Sequence, residues 1–107
     1  MPGRRETAYD ALLPGHGEFV RVRISTAGGE VVAFTVQDET LVGDRYVPVV
    51  RYDAQHGMPH RDKLNRSGDV VDKVWLPMPN VDALNLGIED IRTNWQRYKV
   101  AFLGGAR

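Results

Sequence analysis

Two of the three histidines in this chain, His56 and His60, fall in one segment: Arg51-Tyr52-Asp53-Ala54-Gln55-His56-Gly57-Met58-Pro59-His60-Arg61-Asp62. Histidine is the side chain that most readily gains or loses a proton near neutral pH. Beside Asp53, Arg61 and Asp62, the pair has three chemical readings. As an acid–base site on RNA, one histidine takes the 2′-hydroxyl proton, the other protonates the leaving oxygen, and Arg61 holds the phosphate. Asp53 or Asp62 then fixes a histidine tautomer. As a metal site, Asp53, His56, His60 and Asp62 offer nitrogen and oxygen ligands. Gly57 and Pro59 interrupt the helix that an HExxH pair requires, and no glutamate follows His56. As a structural loop, Asp53 caps backbone N–H groups and the histidines satisfy buried polar groups. The spacing favours no bound metal or cofactor. His60-Arg61-Asp62 also spells a kinase triplet, but the chain has no Gly-rich loop and no DFG.

The elements that must position this segment are legible by period. Val20, Val22 and Ile24 alternate with Arg21, Arg23 and Ser25, which predicts a half-buried strand over 18–25. Thr26-Ala27-Gly28-Gly29 turns the chain into a second strand over 30–40, with Val32, Phe34 and Val36 on one face. Val42-Gly43-Asp44 turns it again into a third over 45–53, weakened by Pro48. The histidine loop follows, then a turn at Asn65-Arg66-Ser67-Gly68-Asp69 and a strand over 70–76. Val81, Leu84, Ile88, Ile91, Trp95, Tyr98 and Phe102 are spaced three and four apart, which predicts an amphipathic helix. Asn80 suits its N-cap, Gly104-Gly105 its end, and Gly87 is a place for a kink. Trp75 and Trp95 are expected in the core. Residues 1–17 lack periodicity and read as a flexible N-terminal arm, with 18–107 as a single domain. The expected fold is α+β: an antiparallel sheet of about four strands, covered on one face by the C-terminal helix.

At 107 residues, 42% hydrophobic and formally uncharged, the chain suits one compact domain and not a non-specific nucleic-acid binder. Arg21, Arg23 and Arg51 can still form a local basic strip. There is no cysteine, so thiolate chemistry and disulfides are excluded. No secretory leader or membrane-spanning run is evident, and a soluble, cytoplasmic protein is expected.

The run from Val49 to Asp62 resembles that of a small uncharacterised prokaryotic family with an "RYD…HG…HRD" core, the likeness extending over most of 18–102. More distantly, the layout is similar to TumE-type toxins of toxin–antitoxin pairs, on Arg51, Tyr52, Asp53, His56, Pro59 and His60. That resemblance implies an RNA-directed toxin with an antitoxin partner. The catalytic candidates are then His56, His60 and Arg61, with Asp53 and Asp62 orienting them. The alternative is a non-enzymatic interaction or homodimerisation module, using the helix stripe or an open strand edge.

Overall fold

The computed structural model describes residues 3–55 and 57–104. Six strands and one helix follow in chain order: β1 (Arg4–Leu12), β2 (Glu18–Ala27), β3 (Glu30–Val42), β4 (Arg45–Ala54), β5 (His60–Leu64), β6 (Val70–Trp75) and α1 (Asn80–Gly104). The strands form one antiparallel sheet in the order β1-β2-β3-β4-β5-β6, each paired with its sequence neighbour. Short glycine turns make this possible. Gly28, Gly29 and Gly43 all have positive φ, which costs glycine nothing.

The sheet has six strands where about four were expected. Most of the segment read as an arm supplies β1, which pairs along its whole length with β2. Its side chains are exposed on both faces, so no apolar alternation marks it. Within the histidine loop, β5 was hidden because His-Arg-Asp-Lys-Leu is mostly polar.

Helix α1 packs on β3 and β4 and touches β5. Val20, Val22, Phe34, Val36, Val50 and Tyr52 meet Leu84, Ile91, Trp95 and Phe102 in a continuous core. Each such large side chain taken out of water stabilises the fold by about 1.5–3 kcal/mol. Trp95 is buried as expected, whereas Val81, in the first turn of the stripe, is exposed. Asn80 does not act as expected: its side-chain amide donates to Val31 O (3.1 Å) and ties the helix start to β3. Pro79 O opens the helix by accepting from Asp82 N and Ala83 N.

Gly87 causes no break, because α1 is continuous through it. Its role is spacing: a Cβ there would lie 2.7 Å from Tyr52 Cγ. The helix and β4 come this close only because position 87 has no side chain. No described helix is long and apolar enough to cross a membrane.

Candidate functional site

Side chains on a strand alternate between faces, and directly opposed residues on neighbouring strands share one. The register therefore sorts the candidate residues. Asp53, His60 and Trp75 are opposed in one row across β4, β5 and β6; Arg51, Asp62 and Lys73 form the next. Both rows lie on the face that α1 leaves open. Arg61 is opposed to Tyr52 and Val74, on the face that α1 covers. His60 and Arg61 thus lie on opposite sides of one strand. His56 lies outside the described residues.

On the open face, Asp62 is only 4% exposed and sits between two partners. Its Oδ2 is 3.3 Å from His60 Nε2, and its Oδ1 is 2.8 Å from Lys73 Nζ. The His60 ring meets Trp75 edge-on at 5.3 Å between centroids, and Lys73 Nζ lies 5.3 Å from the Trp75 ring centre. His60 Nδ1 is buried, with no hydrogen-bond partner among the described residues. One ring nitrogen faces Asp62 and the other is enclosed among the described residues. The arrangement suits a polar clamp between β5 and β6 better than a proton shuttle.

Lys73 and Trp75 complete this cluster, and the sequence had not put them there. Trp75, expected in the core, is 57% exposed, because it lies on the face of the sheet that α1 leaves open. The arginine strip does form on the open face, with Arg21 and Arg23 paired to carboxylates and Arg51 to a neutral amide. Arg21 Nε donates to Glu39 Oε2 (2.8 Å), and Arg23 Nη1 lies 3.4 Å from Asp10 Oδ1. The hydrogen bond to Glu39 raises the Arg21 pKa. Arg51 Nε donates to Gln37 Oε1 at 2.6 Å. Among the described residues, no group of three or more potential ligands is placed to hold a metal.

The chain matches the family described as a domain of unknown function (DUF7718) over residues 4–107. It belongs to that family. No curated protein and no solved structure matches it.

Two polar clusters on the covered face of this DUF7718 domain escaped the sequence reading. In the first, Glu18 and Asp38 are buried between sheet and helix, with Thr40 opposed to Glu18 and Asp38 opposed to Val20. The carboxylate oxygens of both acids and the Thr40 hydroxyl have no hydrogen-bond partner among the described residues. Lys99 Nζ is 3.7 Å from Glu18 Oε1. Burial, and then the adjoining Glu18 carboxyl, push the Asp38 pKa up to about 9. Asp38 therefore keeps its proton at neutral pH. The signal was present: Glu18, Asp38 and Thr40 fall in phase with the apolar residues of β2 and β3.

In the second cluster, Asp90 Oδ2 accepts from Tyr52 Oη (2.6 Å) and Tyr98 Oη (2.5 Å), while Oδ1 accepts from Asn94 Nδ2. Burial alone would raise the Asp90 pKa, but these donated bonds outweigh it and hold the carboxyl below its ordinary value. Burial, followed by the bond to Asp90, pushes Tyr98 up to about 12 and raises Tyr52 as well. Arg61 adds positive charge here and bonds Asp72 Oδ2 at 2.6 Å. Its guanidinium thus belongs to the helix–sheet seam.

Proposed function

We propose that this domain is an interaction module that pairs with a second copy of itself through the edge of β6. The observation that carries this reading is the exposure of Val70, Val71, Val74 and Trp75 along an edge strand. Exposed, apolar strand edges are templates for strand pairing. The helix stripe, the other candidate surface, is consumed by the sheet.

The opposite edge favours a closed dimer over a filament. β1 carries Arg4, Arg5, Glu6 and Asp10, charges that discourage pairing. A β6-to-β1 contact would propagate, whereas a β6-to-β6 contact closes on a two-fold axis. An axis through Val74 sets Val74 against its own copy and Trp75 against Lys73 of the other. Light scattering on the purified protein tests this. A dimer for the wild type and a folded monomer for Val74→Lys are expected; a wild type that stays monomeric throughout the concentration range rejects the dimer.

A second reading is the RNA-directed toxin, with His56, His60 and Arg61 as catalytic groups, Asp53 and Asp62 orienting them, an antitoxin partner and a cytoplasmic location. It is favoured by exposed Trp75 beside Lys73 on the face that carries Arg51, a surface able to stack a base near cations. Inducible expression of wild type beside His60→Ala, with total RNA examined, tests it. Growth arrest and RNA cleavage by the wild type alone support it; intact RNA and equal growth remove it for that host.

A further inference from the structure

A cleft of about 120 Å³ lies between β4, β5 and the last turns of α1. It is distinct from the open face, and Val71 at the start of β6 also lines it. Val49, Val50, Leu64 and Phe102 line it with apolar surface, and Tyr98 forms part of its wall. Cavities of this order hold a six-carbon ring.

Two donors also line it, and neither has a hydrogen-bond acceptor among the described residues. Lys63 Nζ lies 5.3 Å from the Tyr98 ring centre and has no carboxylate partner among the described residues. Asp72, opposed to Lys63 across β5 and β6, is engaged by Arg61 instead. Asn65 accepts through Oδ1 from Ser67 N and Asp69 N, which fixes the amide orientation. That leaves Asn65 Nδ2 as a donor with no acceptor among the described residues. The Tyr98 hydroxyl is committed to Asp90 and does not compete.

An apolar pocket with one unpaired cation and one free amide donor is complementary to an apolar body bearing a single negative charge. The C-terminal turns of α1 bring the negative end of the helix dipole close, which disfavours a dianion. We infer that this cleft binds a small aromatic or branched aliphatic monocarboxylate. The hydrocarbon packs on Val50, Leu64 and Phe102, and the carboxylate accepts from Lys63 Nζ and Asn65 Nδ2.

Amide NMR titration of the full chain with benzoate, benzamide and inorganic phosphate tests the inference. Benzoate is expected to produce saturable shifts clustered at Leu64, Val71 and Phe102, with a dissociation constant of about 1 mM for so small a ligand. Benzamide should bind about tenfold more weakly, because it lacks the charge-assisted bond. Lys63→Met should weaken benzoate about tenfold, while Lys63→Arg, which keeps the charge, should retain it. No saturable shift with benzoate overturns the inference, as does equal binding of benzamide. So does phosphate reproducing the benzoate pattern, or Lys63→Met binding benzoate as the wild type does.

Discussion

Asp62 and Asp38 are both buried carboxyls in the interior strands of one sheet, and their surroundings differ completely. Asp62 lies on the open face and is held by Lys73 at 2.8 Å and His60 at 3.3 Å. Asp38 lies under the helix beside a second acid, Glu18, with Lys99 as the nearby cation. Loss of water is common to both. What differs is the compensation: Asp62 has a counter-charge, whereas Asp38 is left to keep a proton. Burial alone therefore does not mark a working carboxylate.

Removing the compensated acid should cost most. Asp62→Ala leaves Lys73 and His60 without their shared acceptor, and a loss of about 2 kcal/mol is expected, reduced from a fully buried pair because Lys73 is partly solvated. Urea unfolding measures it, and the double variant with Lys73→Ala should lose less than the sum of the two single variants. A strictly additive result would mean that the pair is not coupled.

Removing the uncompensated acid should do the reverse. The folded chain holds the Asp38 proton up to about pH 9, whereas an unfolded aspartate releases it near pH ~4. Stability is then fully present below that lower value and falls as pH rises toward the upper one. Asp38→Asn should flatten this decline and raise stability at pH ~8 by about 1–2 kcal/mol. Thermal melts across this range check it; a wild type whose stability rises steadily with pH over the window contradicts the assignment.

Asp90 is an intermediate case, compensated by neutral donors. Tyr52→Phe removes one of them at a cost of about 1 kcal/mol, and the Asp90 titration followed by carbon NMR should move upward. The smallest effect is expected for Lys99→Met. With the cation partly exposed, about 0.5 kcal/mol is lost, and the decline should run on to higher pH because Lys99 holds the Asp38 pKa down. An unchanged upper end of the decline would detach Lys99 from the acid pair.

The same contrast explains how much was readable beforehand. β2, β3 and α1 announce themselves because their apolar residues recur at the period of the element, and β4 and β6 because they are apolar runs bounded by turns. β1 and β5 do not, because β1 buries neither face and β5 buries an aspartate where a strand usually buries an aliphatic. Missing β5 had a direct consequence for the candidate site. Three adjacent residues, His60, Arg61 and Asp62, look like one cluster in a loop but are divided between two faces in a strand. Glu18 and Asp38 were recoverable from phase alone, yet acids in an apolar row are easily taken for register noise. Alternation along β6 sets Trp75 on the opposite face from Val74, but which of the two faces α1 covers is decided by the fold and not by any local pattern.

Because every strand pairs with its neighbour in sequence, the whole sheet can be assembled by short loop closures, each with a small entropic cost. Such local topology favours rapid folding for a β-rich chain. The far-reaching contacts are made by α1, whose Asn80 bonds Val31 of β3 across forty-nine positions of sequence and whose Lys99 reaches Glu18 of β2. Docking of the helix is therefore the event expected to make folding cooperative. Without it, the ribbon of hairpins would fray strand by strand from β1 and β6 inward.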